Sequence, residues 1–299
     1  MKSLVLSGCG TALVTPFRNG EVDYAAFSRL LDRQVAAGIH FLVPLGTTGE
    51  TPCLEEEERI KILMLAREKC PDRPVIVGGG TNSLVQTIRS LQLLAQYGPD
   101  AFLVVVPYYN KPTQEGIYEY FKAVAEEVGK PVVMYNVPSR TGVNMTAETA
   151  LRLAEIENIV AVKEASGNYA QISEIIRCAP EGFSVLSGND DETLPLMATG
   201  ASGVVSVASN IAPELMVRLT ESLLSGNLAE ARELHHRLTP LFRNCFIESN
   251  PVPVKAGLAA MGLIAEEFRL PLVPGTRKTF ETMRRTAEEL GLPVPDSRD

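Results

Sequence analysis

A lysine stands at the end of an apolar run in the segment IVAVKEASGN, which covers residues 159–168. If this run is a strand, its side chains alternate, so Lys163 shares a face with Ala161 while Val162 points the other way. Burial penalises the charged ammonium, and a neutral amine is a nucleophile that forms a Schiff base with a ketone or an aldehyde. The alternative is a structural lysine that reaches solvent or pairs with Glu164.

Two further side chains could act on such an intermediate. The segment VVMYNVPSRTGV places Tyr135 near the end of another apolar run, where a phenol can carry protons to and from a substrate. Arg140 follows in the next loop, and its planar guanidinium can bind a carboxylate through two hydrogen bonds. Taken singly, the tyrosine could be a core residue with a satisfied hydroxyl, and the arginine could be a solvated loop residue. Together with Lys163 they favour chemistry on a keto acid.

The segment GTTGE, residues 46–50, carries Thr47 and Thr48 between two glycines. Such a turn exposes backbone N–H groups that can hold a small anion, and the hydroxyls can donate or relay protons. Phosphate is one candidate anion, but phosphate sites of α/β barrels usually come from the loops after strands seven and eight. The seventh loop here reads SGNDDE, and its Asp190 and Asp191 would repel phosphate. We therefore expect a carboxylate ligand at GTTGE.

The elements that would position these residues repeat along the chain. Amphipathic segments such as DYAAFSRLLDRQVAAG alternate with eight apolar runs: TALVTPF, FLVPLG, PVIVGGG, AFLVVVP, PVVMYNVP, NIVAVKEAS, FSVLSG and GVVSVAS. Eight such βα units in sequence predict a (β/α)8 TIM barrel, an α/β fold whose chemistry lies at the carboxyl ends of its strands.

A doubly wound parallel sheet is the alternative fold. It would usually stop at five or six strands and would want a glycine-rich phosphate turn after the first. The first run ends in TPFRNG, which is no such turn, and the glycines of residues 78–80 lack the spacing of a dinucleotide-binding motif. We expect those glycines to permit a tight strand exit.

The strand pattern stops after Ala212 and a helical pattern follows, from APELMVRLTESLL to TRKTFETMRRTAEEL. No Gly/Ser-rich linker precedes it, which indicates a packed region rather than a tethered one. The expected division is a barrel with the active site over residues 1–212 and a C-terminal helical region packed on it over residues 213–299.

Composition narrows the partners. The net charge is −8 and no local Lys/Arg cluster offsets it, which argues against nucleic acid and acidic membranes. No run approaches the length of a membrane span, and the apolar stretch before LSGC, residues 6–9, is too short for a lipoprotein signal. We read LSGC as the lead-in to the first strand.

The cysteines and histidines offer no site of their own. The five cysteines are scattered and the three histidines do not join them at metal-ligand spacing, so neither a zinc site nor a disulfide framework is predicted. Free thiols are typical of a reducing compartment and predict a cytoplasmic protein. His235 and His236 are expected to be exposed helix residues.

The segments GTTGE, PYYNKPTQEG, YNVPSRTGV and VKEASGN together resemble the dihydrodipicolinate synthase family, the Schiff-base aldolases that include N-acetylneuraminate lyase. The likeness runs from about residue 10 to the end of the barrel, and NPVPVKAGL extends it into the helical region. It implies that Lys163 forms the Schiff base with pyruvate and that Tyr135 donates and accepts protons. Thr47 would relay protons together with Tyr109, which in the family reaches across a tight dimer interface into the neighbouring site.

The resemblance also implies the residues that bind the substrates. Thr48 would help to hold the pyruvate carboxylate, and the backbone at Gly188 and Val205 would line the pocket. In the synthases of the family an arginine in the SRTG segment binds the carboxylate of aspartate semialdehyde, whereas the sugar-acid lyases lack it. Arg140 therefore distinguishes the two activities.

The implied reaction is an aldol-type condensation of pyruvate with aspartate semialdehyde, without a metal or an organic cofactor. The implied assembly is a homotetramer built from two tight dimers. Two alternatives remain: another pyruvate-dependent aldolase, such as a keto-deoxy-sugar-acid or hydroxy-oxoglutarate lyase, and a non-catalytic relative that binds pyruvate or an amino acid.

One departure from the family concerns regulation. Lysine-inhibited relatives place a histidine and a glutamate in a site between subunits, where this chain has Glu56 and Gln86, although Asn82 and Tyr108 still match. We therefore expect weak or no inhibition by lysine, and a sub-millimolar inhibition constant would contradict this.

Overall fold

Eight parallel strands form a nearly closed barrel in the computed structural model, which describes residues 4–295. The strands are β1 (Gly8–Ala12), β2 (Phe41–Val43), β3 (Ile76–Gly79), β4 (Ala101–Val105), β5 (Val132–Asn136), β6 (Ile159–Glu164), β7 (Ser184–Ser187) and β8 (Gly203–Ser206). Their order is β2-β1-β8-β7-β6-β5-β4-β3, and a parallel bridge between Leu42 and Val75 joins the two ends. The predicted (β/α)8 barrel is confirmed.

Helices cover the strands and extend beyond the last of them. They are α1 (Tyr24–Ala36), α2 (Glu56–Lys69), α3 (Leu84–Ala95), α4 (Gln114–Val128), α5 (Pro138–Thr141), α6 (Ala147–Ala154), α7 (Tyr169–Cys178), α8 (Thr193–Ala198), α9 (Pro213–Leu224), α10 (Leu228–Asn244), α11 (Val252–Ala260) and α12 (Arg277–Glu289). Side-chain caps start several of them: Asp23 accepts from the backbone N–H of Ala26, and Glu55 and Glu58 form a capping box at α2.

The first strand lies earlier than its apolar pattern predicts. β1 spans Gly8–Ala12, whereas the apolar run TALVTPF covers residues 11–17. The last residues of that run instead enter a short antiparallel hairpin, Phe17–Arg18 with Glu21–Val22. Because glycine is a poor strand former, an apolar pattern does not predict a strand that contains Gly8 and Gly10. Gly10 has a structural reason, because a Cβ there would lie 2.0 Å from the ring of Phe41.

The strands that matter most to the site are continuously buried. All residues of β5 and β6 are buried, as expected for strands covered on the outer face by helices. The pairing of β5 with β6 shifts register between Val132 and Val133. After this shift, at the carboxyl ends of the two strands, Tyr135 pairs with Lys163 and Asn136 pairs with Glu164. Two consecutive residues of each strand therefore stand side by side and point to opposite faces.

The C-terminal helices pack on the barrel. α9 packs against β1 and β8 as the eighth helix of the barrel, and α10 packs on α8 and α9. The division at Ala212 stays a prediction, but it separates β8 from the helix that covers it, and a boundary between α9 and α10 fits the packing better. Residues 1–3 and 296–299 of the two predicted regions lie outside the described residues.

Candidate active site

Lys163 and Tyr135 face each other at the carboxyl ends of β6 and β5. Lys163 Nζ lies 4.1 Å from the centre of the Tyr135 ring. Only 6% of Lys163 and 8% of Tyr135 are exposed. Within residues 4–295 the Lys163 amine makes no hydrogen bond or ion pair with a side chain or the backbone. The amine is therefore held by packing against an aromatic face and is free to meet a ligand.

Glu164 does not pair with Lys163, because it points to the helix layer. Its carboxylate accepts hydrogen bonds from Asn136 Nδ2 at 3.0 and 3.2 Å, from Gln171 Nε2 at 3.0 Å and from the backbone N–H of Ser166 at 2.9 Å. Burial raises the pKa of Glu164, while these donors oppose the shift. The alternative of a Lys163–Glu164 ion pair is not realised.

Lys163 and Tyr135 line a cavity of about 500 Å³ at the carboxyl ends of the strands. Six of the predicted site residues line it: Thr47, Thr48, Tyr135, Arg140, Lys163 and Gly188. The described lining does not include Val205 or Tyr109. Val205 is buried within β8 beside Gly10, and Val207 lines the cavity instead.

Thr47 and Thr48 belong to a 3-10 turn, Thr47–Gly49, directly after β2. Thr48 is buried and its Oγ1 accepts a hydrogen bond of 3.0 Å from Asn250 Nδ2, whereas Thr47 is exposed to the cavity. Thr15 Oγ1 donates to the carbonyl of Gly49 at 2.7 Å and fixes the turn to the end of β1. Among the described residues, the Thr48 hydroxyl is thus hydrogen-bonded, whereas the Thr47 hydroxyl has no hydrogen-bond partner.

A glycine beneath this turn permits a close backbone approach. A Cβ at Gly78 would lie 1.9 Å from the carbonyl oxygen of Leu45 and 2.6 Å from the nitrogen of Gly46. A second cavity of about 340 Å³ runs from this point past Tyr108 and shares Thr47, Tyr135 and Arg140 with the first. The glycine run thus serves the backbone around the site rather than a dinucleotide.

Arg140 lies on the short helix α5 at the rim of the cavity. Its Nη2 donates a hydrogen bond of 3.2 Å to the carbonyl of Asn250, and the residue as a whole is exposed. Residues 246–250, which precede α11, also line the cavity. Asn250 belongs to the segment NPVPVKAGL, but the sequence predicts no role for it, because a helical region after the barrel carries no periodic signal that points to the site.

Tyr109 lies away from the cavity, in the loop after β4. It is 86% exposed and has a positive φ of 73°, a conformation that is uncommon for residues other than glycine. Its backbone N–H donates to the carbonyl of Thr141. Within the described part of this single chain, the tyrosine does not meet Lys163 or Tyr135.

Asp190 has a structural position that the sequence did not predict. It is buried, and its Oδ2 accepts hydrogen bonds of 3.0 Å from the backbone N–H groups of Val207 and Ala208. Its Oδ1 has no partner among the described residues. Burial raises the pKa of Asp190, while hydrogen bonds and the charge of Lys163 act the other way. The carboxyl group ties the seventh strand loop to the eighth beside the cavity.

Four other residues singled out in the sequence lie on helices and do not line this cavity. Glu56 begins α2, and Gln86 lies exposed on α3. His236 is exposed on α10, but His235 is half-buried against Phe242, so the expectation of two exposed histidines is wrong for His235.

Among residues 4–295, no group of three or more His, Cys, Asp or Glu side chains could hold a metal ion. In the same part of the chain, no helix has the length and apolar character of a membrane span.

The sequence is similar to those of known proteins along nearly its whole length. The sequence profile of the dihydrodipicolinate synthetase family matches residues 5–290. The chain is 47% identical over 290 residues to the 4-hydroxy-tetrahydrodipicolinate synthase of Thermotoga maritima, and the alignment covers 95% of this chain and 99% of that protein.

Solved structures of dihydrodipicolinate synthases have the same fold as this chain. The crystal structure of dihydrodipicolinate synthase from Thermotoga maritima has a TM-score of 0.95 and 46% identity, covering 96% of this chain and 99% of that chain. The Acinetobacter baumannii dihydrodipicolinate synthase complexed with pyruvate has a TM-score of 0.93 and 38% identity, covering 96% of this chain and 99% of that chain. With a matching profile, matching folds and a lysine and a tyrosine facing one cavity, this chain belongs to the dihydrodipicolinate synthetase family.

Proposed function

We propose that the chain is a lyase that condenses pyruvate with L-aspartate 4-semialdehyde through a Schiff base on Lys163, giving 4-hydroxy-tetrahydrodipicolinate. This is a reaction of lysine and diaminopimelate biosynthesis. The observation that carries the proposal is the buried Lys163 amine, unpaired within residues 4–295 and set against the Tyr135 ring at the base of a cavity. The Thermotoga maritima synthase and the pyruvate complex of the Acinetobacter baumannii enzyme support the choice of substrates.

The steps follow from the residues that line the cavity. Lys163 Nζ attacks the ketone of pyruvate, and loss of water leaves an iminium. Tyr135, with Thr47 in relay, takes a proton from the methyl group, and the electron pair left behind forms the enamine. The enamine carbon attacks the aldehyde, whose oxygen takes up a proton from Tyr135. The amino group of the bound semialdehyde then attacks the iminium carbon and displaces Lys163.

Substrate carboxylates have two places to bind. The turn that carries Thr48, with Gly188 opposite, suits the pyruvate carboxylate, and the Arg140 guanidinium at the rim suits that of the semialdehyde. Val205 remains part of the proposal through its backbone, two residues before Val207 in the chain. Binding the two carboxylates separately leaves the reacting carbons between them.

The proposed assembly is a homotetramer of two tight dimers, in which Tyr109 completes the proton relay of the neighbouring site. The exposure of this tyrosine and its positive φ support a contact outside its own subunit. Five free cysteines support a reducing compartment such as the cytoplasm.

The proposal is tested by the substrate dependence of turnover and by Arg140→Ala. We expect turnover of pyruvate with aspartate semialdehyde and none with keto-deoxy sugar acids. Because Arg140 binds only the second substrate, Arg140→Ala should lower kcat/KM for the semialdehyde by about 100-fold or more, and change the rate of adduct formation with pyruvate by less than about threefold.

Arg140→Lys is the matched control, since it keeps the charge but loses the bidentate geometry, and it should be intermediate. Equal losses in both rates would contradict the role of Arg140. Cleavage of sugar acids without condensation would favour the alternative aldolase, and neither activity would favour the binding-only relative.

A further inference from the structure

A fully buried ion pair joins the turn of Thr47 and Thr48 to the C-terminal helices. Lys255 on α11 and Glu50 have no side-chain exposure, and Lys255 Nζ lies 2.5 Å from Glu50 Oε1. The ammonium is also 4.4 Å from the ring centres of both Phe17 and Phe268. A lysine enclosed by two aromatic faces and one carboxylate is held in a single arrangement.

Glu50 directly follows the Thr47–Gly49 turn and caps it. Its backbone N–H donates a hydrogen bond of 3.1 Å to the carbonyl of Thr47. Its φ of 53° lies in the left-handed region, which residues other than glycine adopt rarely and keep only where their surroundings enforce it. The second carboxylate oxygen, Oε2, accepts from the backbone N–H of Arg269 at 3.3 Å. Both hydrogen-bond partners of the Glu50 side chain within residues 4–295, Lys255 and Arg269, thus belong to the C-terminal region.

The other anchors of the turn do not replace this one. Thr15 holds the carbonyl of Gly49 on the β1 side, and Asn250 holds the Thr48 hydroxyl. Thr51 Oγ1 donates a hydrogen bond of 3.0 Å to the carbonyl of Gly46, and the backbone N–H of Cys53 donates one of 2.9 Å to the carbonyl of Glu50. The Glu50 carboxylate adds the buried ion pair at the end of the turn, next to the backbone N–H that bonds Thr47. Thr47 itself has no side-chain partner within residues 4–295, so its position depends on its backbone.

We infer that Lys255 and Glu50 are positioning residues, whose buried ion pair holds the Thr47–Gly49 turn in the geometry that the active site uses. The C-terminal helices thereby contribute to the reaction without touching the substrate. The inference rests on the proposed function for its catalytic consequence, but the ordering of the turn can be measured without substrate.

A charge-neutral double variant separates positioning from stability. Lys255→Met or Glu50→Gln alone leaves one buried charge unpaired and should lower the melting temperature strongly, whereas the double variant should regain most of that loss. Three readouts apply to each variant: melting temperature, amide hydrogen exchange at Gly49 and Glu50, and kcat. Lys69→Met is the control, because it breaks the exposed pair with Asp32 at the other end of the barrel.

We expect the double variant to exchange the Gly49 and Glu50 amides faster than the parent while β4 and β5 stay protected, and to keep kcat reduced by about tenfold or more. The control should leave all three readouts unchanged. Parental exchange at both amides in a double variant of regained stability would overturn the inference. So would parental kcat in such a variant.

Two further outcomes are also decisive. If the double variant folds poorly, Glu50→Gln is compared with the parent well below its melting temperature, and there fast exchange confined to the two amides supports the inference while parental exchange overturns it. If the parent shows no turnover at all, the proposed function fails, and the exchange measurements still decide whether the ion pair holds the turn.

Discussion

At the residue scale, the chemistry depends on opposite orientations of neighbouring side chains. Lys163 and Tyr135 point into the cavity, whereas Glu164 and Asn136 bond each other in the helix layer. A carboxylate next in sequence to the lysine is thereby kept from neutralising it. Within residues 4–295, the Lys163 amine is thus unpaired because the buried glutamate has other partners.

The buried Asp190, beside the same cavity, should make the free energy of unfolding depend on pH. Burial raises its pKa above 3.8, so the folded state binds its proton more tightly than the unfolded state does. The contribution of Asp190 to stability is therefore full below its unfolded pKa and is lost as the pH rises through its folded pKa. Asp190→Asn resembles the protonated form and should be at least as stable as the parent at about pH 7.

The measurement is the free energy of unfolding of Asp190→Asn and of the parent at several pH values. Other groups titrate in both proteins and cancel in the difference. We expect the advantage of the variant to shrink as the pH falls below the folded pKa of Asp190. A difference that does not change with pH would show that the carboxyl group is not responsible.

At the element scale, seven of the eight apolar runs each contain a strand, whereas the first run overlaps only the last two residues of β1. Alternation along β5 and β6 predicted which side chains face the cavity. The start of β1 was not predicted, because Gly8 and Gly10 are selected by the approach of neighbouring groups rather than by strand propensity. The contribution of residues 246–250 was not predicted either. Contacts such as that of Asn250 with Thr48 join positions about 200 residues apart and leave no local pattern.

Gly78 tests whether close backbone packing supports the GTTGE turn. Gly78→Ala would place a Cβ against the Leu45 carbonyl and should lower the free energy of unfolding by about 1–3 kcal/mol through overpacking. Gly46→Ala is the matched control, since Gly46 has a negative φ of −83° and nothing lies within 4 Å of its added Cβ. Denaturant unfolding compares the two, and equal stability would contradict the packing argument.

At the scale of the whole molecule, the proposed assembly can be tested by mixing subunits. If Tyr109 serves the neighbouring site, Tyr109→Phe and Lys163→Met are each poorly active, but a mixed dimer contains one site with both native residues. We therefore expect activity to return when the two variants are unfolded and refolded together. Refolding each variant alone is the control, and no gain on mixing would contradict the assignment of Tyr109 across the interface.

The Schiff base that we propose between the Lys163 amine and pyruvate can be trapped by reduction. The chain is incubated with pyruvate, reduced with borohydride and digested, and the peptides are analysed by mass spectrometry, with Lys163→Met as the control. We expect a reduced pyruvate adduct on Lys163 of the parent and none on the variant. No adduct on the parent, or an adduct on another lysine, would contradict it.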